Sequence, residues 1–94
     1  MVRTPYFTLL ISRVPDQDLS RFGIVVGRRT GKAVTRNRLK RIFRELVREY
    51  SSGLTYGYHG IIYPKVKVLE VKYQEVGKVW KGTLAQVRTS LSLK

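Results

Sequence analysis

The segment from Lys32 to Tyr50 limits the fold most strongly, because its apolar and charged residues recur with the period of an α-helix. Six apolar residues are spaced by three and four positions and therefore share one helix face: Leu39, Ile42, Phe43, Leu46, Val47 and Tyr50. Ser51, Ser52 and Gly53 follow, and glycine is common just past the end of a helix. The pattern predicts a helix over about residues 32 to 50 that buries one face against other elements.

Segments with strand composition lie on both sides of this helix. Residues 6–11 and 21–29 are rich in β-branched and aromatic residues, and Pro15 interrupts the apolar pattern between them. We expect these two segments to pair as an antiparallel hairpin. A third strand is predicted over residues 58–63, and Pro64 ends it.

The C-terminal third of the chain begins with a segment whose secondary structure the sequence leaves open. Val66, Val68 and Val71 lie among lysines, and residues 65–71 fit either a strand or a loop. From about Lys72, apolar residues recur with helical period and predict a second helix: Val76, Val79, Trp80, Leu84, Val87 and Leu91. The expected fold is a single α/β domain over residues 1–94, of the two-layer α+β kind. A small sheet of three to four strands packs with a basic central helix and a C-terminal helix.

Charge indicates the class of partner. Nineteen Lys and Arg residues against six Asp and Glu give a net charge of +13, and such an excess is typical of proteins that bind a polyanion. Residues 28–48 contain nine of the basic residues and one acidic residue, Glu45. At about 100° per residue, the helix side opposite Leu39 carries Asn37, Arg41, Arg44 and Arg48, flanked by Arg38 and Lys40. Like charges three and four residues apart destabilise a helix unless an anion neutralises them.

Other classes of function find less support in the residues. The chain has no cysteine, and no apolar segment approaches the roughly 18 residues that span a bilayer, which favours a soluble cytoplasmic protein. A helix lying on a membrane would leave its apolar face to lipid, whereas this face has core spacing. His59 is the single histidine and the acidic residues are scattered, so we predict neither a protein active site nor a protein metal site. Trp80 lies on the apolar stripe of the last helix and is assigned to the core.

The motif at residues 36–38, within the run 21–45, is specific enough to suggest a family. The run contains Gly31, Lys32, Ala33 and Val34, then Arg36, Asn37 and Arg38, then Lys40, Arg41, Arg44 and Glu45. It resembles the signature of the bacterial ribonuclease P protein component. The resemblance implies an α/β fold with a left-handed β-α-β crossover around the basic helix. It also implies a subunit that does no chemistry and assists a catalytic RNA, which uses Mg²⁺ bound mainly by RNA to cut the 5′ leader from precursor transfer RNA.

Two sets of residues follow from charge and resemblance together. The expected contacts to the catalytic RNA are Arg28, Arg29, Lys32, Arg36, Asn37, Arg38, Lys40, Arg41, Arg44 and Arg48. The expected leader cleft contains Tyr6, Thr8 and Leu10 on the outward face of the first strand. Neither DNA nor a membrane is an expected partner.

The chain also departs from the family pattern in its first strand region. Family members usually begin with a further helix that supplies aromatic residues to the leader cleft, whereas this chain begins almost at the first strand. The position of Leu10 is often aromatic in the family. Two alternatives stay open: a structural RNA-binding protein such as a small ribosomal protein, and a DNA-binding protein that inserts the helix into the major groove.

Overall fold

Four strands and two α-helices make up the computed structural model, which describes residues 1–15, 17–50 and 56–92. In chain order they are β1 (Val2–Arg3), β2 (Phe7–Arg13), β3 (Arg21–Ile24), α1 (Ala33–Tyr50), β4 (Tyr58–Pro64) and α2 (Tyr73–Ser92). Two short 3₁₀ segments cover Arg28–Thr30 and Val66–Glu70. The predicted helices and the two-layer α+β class are confirmed. The predicted helix end at Ser51, Ser52 and Gly53 lies outside the described residues.

The sheet has the strand order β1-β2-β4-β3, so the last strand in sequence is central. β2 and β4 are antiparallel from Phe7 opposite Pro64 to Arg13 opposite Tyr58. β3 lies on the other side of β4 and runs parallel to it. The predicted hairpin between the first two long strands is therefore wrong, because β4 lies between them. β4 forms backbone hydrogen bonds with β2 on one side and with β3 on the other. The N–H and C=O groups along both of its edges are therefore paired, as an inner strand requires.

Two segments differ from their predicted conformations. β3 ends at Ile24 rather than at Arg29, although the N–H of Val25 still donates to the carbonyl of Ile62 at 2.9 Å. Beyond Gly27 the chain turns into the 3₁₀ segment Arg28–Thr30. Residues 66–70, which fitted a strand or a loop, form a 3₁₀ helix, and Val68 at its centre is buried. A short 3₁₀ helix can bury a single apolar side chain such as Val68, so the apolar residues of this segment did not distinguish a helix from a strand.

The segment β3-α1-β4 is a parallel β-α-β unit whose two strands are neighbours. Crossovers of this kind are usually right-handed. The left hand implied by the resemblance stays a prediction. This connection explains why α1 packs on the sheet. Because β3 and β4 are parallel, the chain leaves the C-terminal end of β3 and must return to the N-terminal end of β4 at the opposite end of the sheet. The helix α1 spans that distance.

Both helices pack on one face of the sheet, and aromatic rings fill the interface. The ring centroids of Phe7 and Phe43 are 5.8 Å apart, and those of Phe7 and Trp80 are 5.4 Å apart, both in edge-to-face arrangements. Phe22 adds a third such contact to Trp80 at 5.7 Å. Trp80 is fully buried, so its assignment to the core is confirmed. Gly60 makes room for Phe22, since a Cβ there would lie 2.9 Å from the ring.

The two glycines of α2 should respond in opposite ways to alanine. Glycine inside a helix is less favourable than alanine by about 1 kcal/mol. A Cβ on Gly82 would meet open space, so Gly82→Ala should raise the free energy of unfolding by up to about 1 kcal/mol. A Cβ on Gly77 would lie 2.9 Å from Cε2 of Tyr50, so Gly77→Ala should gain nothing or destabilise. Urea denaturation of the two variants measures the difference, and equal gains would contradict the packing of α2 on Tyr50.

Candidate nucleic-acid interface

The outward side of α1 carries an exposed row of polar and cationic side chains. We use the term basic stripe for the α1 residues Arg36, Asn37, Arg38, Lys40, Arg41, Arg44 and Arg48. The helix buries Leu39, Phe43 and Leu46 on its opposite side, which fixes the orientation of the stripe toward solvent. The residues along the centre of the basic stripe are all exposed: Asn37, Arg41, Arg44 and Arg48.

The two flanks of the basic stripe have different surroundings. Arg36 and Lys40 lie on one flank and are half-buried. The Nε of Arg36 is buried and has no hydrogen-bond partner among the described residues. An N–H buried without an acceptor costs about 1–3 kcal/mol. Arg38 lies on the other flank, exposed, beside the 3₁₀ helix that precedes α2.

Three further predicted contacts precede α1. Arg28 and Arg29 belong to the 3₁₀ segment, and Lys32 lies immediately before the helix; all three are exposed. Gly31 between them has a φ of +151°, a conformation that side-chain-bearing residues rarely adopt. This glycine joins the 3₁₀ segment to α1 in a nearly extended conformation that is open mainly to glycine. The three cations therefore extend the positive surface to the amino-terminal end of the helix, where the helix dipole is also positive.

Little negative charge compensates the basic stripe. Nε of Arg41 lies 4.0 Å from Oε1 of Glu45, and the Arg41 side chain is 83% exposed. A pair with this separation and exposure contributes little to stability. Arginine is suited to an incoming anion, because its planar fork donates two hydrogen bonds to one phosphate. The arrangement can therefore hold a polyanionic backbone along the length of α1.

A second surface is the sheet face that the helices leave uncovered. Along β4, side chains alternate between buried and exposed, and the exposed ones are His59, Ile61 and Tyr63. In register, Leu10 lies opposite Ile61 and Thr8 lies opposite Tyr63. We call these five residues the open sheet face. Leu10, Ile61 and Tyr63 are neighbours on this face, and each is between 37% and 39% exposed.

Two of the five residues of the open sheet face, Thr8 and Leu10, were predicted from the sequence. His59, Ile61 and Tyr63 were missed, because the prediction followed the first strand only. The alternation of residues 58–64 was available as a signal, but its use required knowing that β4 pairs with β2. Tyr6, the third predicted residue of the leader cleft, precedes β2 and packs against the hydrophobic core. Its proposed role in the cleft stays a prediction.

Metal and membrane sites are absent from the described residues. Within residues 1–15, 17–50 and 56–92, no three His, Cys, Asp or Glu side chains lie close enough to hold a metal ion. Of the helices in this described part, none is long and apolar enough to cross a bilayer. The two surfaces with distinctive chemistry are therefore the basic stripe and the open sheet face.

Comparison with known proteins identifies the family of this chain. The model of the Ribonuclease P family matches residues 1–88, which include all of both surfaces. The chain belongs to the ribonuclease P protein family. The ribonuclease P protein component of Dehalococcoides mccartyi is 36% identical over 80 residues, which cover 84% of this chain and 65% of that protein. The chain thus spans about two thirds of the length of this relative.

Solved structures of ribonuclease P proteins share the fold. The RNase P protein from Thermotoga maritima aligns with a TM-score of 0.70 and 32% identity, over 82% of this chain and 73% of that one. The RNase P protein of Staphylococcus aureus aligns with a TM-score of 0.73 and 22% identity, over 93% and 79% of the two chains. The second likeness supports the fold alone. Together they agree with the mixed four-stranded sheet and two helices described above.

Proposed function

We propose that this chain is the RNA-binding protein subunit of ribonuclease P and that it acts in the cytoplasm. In this proposal an RNA subunit performs the reaction, which removes the 5′ leader from precursor transfer RNA, and the protein does no chemistry. The observation that carries the proposal is the basic stripe, displayed by a member of the ribonuclease P protein family. Its arginines can position an RNA backbone through phosphates without reading its bases.

The free protein has a feature that favours an anionic partner. Like charges three and four residues apart repel one another along α1. A bound phosphate accepts hydrogen bonds from the exposed guanidinium groups and removes this repulsion. Binding therefore relieves an unfavourable interaction that folding alone leaves in place. A small ribosomal protein or a DNA-binding protein could use similar arginines, but the family assignment supports ribonuclease P.

We assign the Mg²⁺ of the reaction mainly to the RNA subunit. Proteins bind Mg²⁺ through carboxylates and other oxygen ligands, whereas the basic stripe attracts phosphates and repels metal cations. The phosphates of the RNA subunit are therefore the ligands that we expect for this ion.

The open sheet face is the surface that we assign to the 5′ leader. A single-stranded RNA exposes the flat faces of its bases, and stacking on an aromatic side chain contributes about 1–3 kcal/mol per base. Tyr63 supplies such a ring at the centre of the sheet, with Ile61 and Leu10 as apolar neighbours. Because β4 is central, these side chains are held on a rigid surface. This assignment extends the predicted cleft from β2 to β4.

Reconstitution with a ribonuclease P RNA tests the function. The wild-type chain should restore cleavage of precursor transfer RNA at low Mg²⁺ concentration. The double variant Arg36→Ala/Arg38→Ala should bind the catalytic RNA at least about tenfold more weakly, since it loses two charge-assisted contacts. It should remain folded, because Arg38 is exposed and Arg36 has an unsatisfied N–H. Binding is measured by filter retention, and folding by circular dichroism.

A matched control separates position from charge. Lys78→Ala/Arg88→Ala removes two exposed cations from α2 and leaves α1 intact. This variant should lose much less affinity for the catalytic RNA. Equal losses in the two double variants would mean that net charge alone drives binding. Filter retention also compares the affinities of the reconstituted complex for precursor and for mature transfer RNA. Equal affinities would contradict the assignment of the open sheet face to the leader, while the assignment of the basic stripe to the catalytic RNA would stand.

A further inference from the structure

A cleft lies beside the basic stripe, between α1 and the 3₁₀ helix before α2. Its volume is about 300 Å³, whereas one water molecule occupies about 30 Å³ in the liquid. Arg38 and Glu45 line it from α1, and Tyr73 lines it from the start of α2. The remaining lining is apolar and comes from Ile42, Val68, Leu69 and Val71. We call this the α1 cleft; it has room for a flat ring system.

The apolar part of the α1 cleft is an extension of the hydrophobic core. Val68 is buried, and Ile42, Leu69 and Val71 pack against the core cluster. These side chains are therefore held in place before any ligand arrives. The guanidinium of Arg38 is exposed at the same site, and arginine stacks well on flat aromatic groups. An apolar wall beside a stacking cation is suited to a nucleobase.

The hydroxyl of Tyr73 already has a partner. It donates a hydrogen bond of 3.2 Å to Oε2 of Glu49. Burial, together with the charge of Glu49 and this hydrogen bond, raises the pKa of Tyr73 to about 12. The hydroxyl is therefore protonated at neutral pH, and its proton is committed to Glu49. Tyr73 offers the cleft mainly its ring.

Glu45 is the carboxylate that lines the α1 cleft. Its contact with Arg41, at 4.0 Å, is too long for a hydrogen bond. Glu45 is half-exposed and lies among arginines that we assign to phosphates. A carboxylate in such a place repels phosphates, but it can accept hydrogen bonds from the 2′-hydroxyls of RNA or from the N–H groups of the bases. The apolar wall next to Glu45 favours a base over a ribose.

From this cleft we infer that the protein binds one unstacked guanine base of an RNA strand whose phosphates follow the basic stripe. The inference rests on the proposed RNA-binding function. Guanine presents two adjacent N–H donors on its pairing edge, which one carboxylate accepts together. Adenine, cytosine and uracil lack such an adjacent pair of ring and amino donors. Glu45 is the residue that selects the base, while Arg38 and the apolar wall hold its faces.

Short oligonucleotides separate base selection from phosphate binding. The probes are hexauridylate and two hexamers in which the third residue is guanosine or adenosine, all with the same backbone charge. Fluorescence anisotropy at about 50 mM salt, where phosphate contacts are strong, measures their affinities. We expect the guanosine hexamer to bind the wild-type chain at least roughly tenfold more tightly than the other two. The NMR signals of the Tyr73 ring should shift with the guanosine hexamer only.

A pair of glutamate variants provides the control. Glu45→Gln should abolish the guanosine preference, whereas Glu75→Gln should keep it. Glu75 lies in the first turn of α2 and does not line the cleft, yet its substitution changes the net charge by the same amount. Any increase in affinity for all three hexamers that comes only from the lost negative charge should therefore appear in both variants.

The outcomes distinguish this inference from the proposed function. Equal affinity for the three hexamers, or an equal gain from adenosine, would overturn the selection of guanine. If the protein binds the catalytic RNA while Glu45→Gln retains the guanosine preference, the α1 cleft is not the base site and the RNA-binding function stands. Failure to bind both the catalytic RNA and hexauridylate would remove the proposed function and this inference together.

Discussion

Replacing Phe43 by alanine should destabilise the protein by about 3–5 kcal/mol, the usual effect of truncating a fully buried phenylalanine. Phe43 is completely buried, and its ring meets Phe7 of β2 edge to face. The substitution therefore opens a cavity where α1 joins the sheet. Domains of this size have free energies of unfolding of about 5–15 kcal/mol. The melting temperature should consequently fall by more than about 10 °C.

Val34 on the same helix provides the control for Phe43. Its side chain is 80% exposed, so Val34→Ala should change the free energy of unfolding by no more than about 0.5 kcal/mol. Urea denaturation measures both variants, and the slope of the transition shows whether each unfolds in one step. Equal midpoints for Phe43→Ala and the wild type would mean that the apolar face of α1 does not contact the sheet.

Affinity for the catalytic RNA should fall about a hundredfold between about 50 and 200 mM salt. The estimate assumes about five phosphate contacts from the basic stripe and Lys32. Each contact on flexible RNA contributes about −0.7 to the slope of log affinity against log salt, which gives roughly −3.5. The physical cause is release of counterions that the phosphates otherwise hold. A nearly flat slope would contradict the assignment of the basic stripe to RNA.

Arg41 is suited to dissecting this slope. Its side chain is 83% exposed and its contact with Glu45 is long, so Arg41→Ala should leave the fold intact. The slope should become shallower by about 0.7, the value of one contact. Lys78→Ala on α2 should leave the slope nearly unchanged, since we place its side chain outside the interface. The measurement is a pair of salt titrations on one RNA with each variant.

Local patterns in the sequence predicted most elements of the fold. The spacing of Leu39, Phe43 and Leu46 depends on residues within a few turns of one another, so the helix and its buried face were readable without any tertiary information. The same reasoning placed Trp80 in the core. The basic stripe followed directly, because a side opposite a buried face must be exposed.

The pairing of strands was not readable in this way. Alternation of apolar and polar residues indicates that residues 58–64 form a strand. A strand that pairs on both sides and a strand at the edge of a sheet show the same alternation, so the pattern does not give the position in the sheet. Nine residues, 12–20, separate the two predicted strand segments, more than the two to five of most hairpin loops. That length was the available signal against the predicted hairpin. The sheet instead brings β4 between β2 and β3 through contacts far apart in sequence.

Residue types and local spacing were therefore enough to predict the helices, the core face of α1, the cationic surface and the family resemblance. Each of these depends on residue type and on spacing within one element. The order of the strands, the extent of the open sheet face and the α1 cleft became apparent only in the folded domain. These features depend on which elements meet, and Ile61 and Glu45 acquire their surroundings from segments distant in the chain. Contacts of that kind are selected by packing of the whole domain, which no local period encodes.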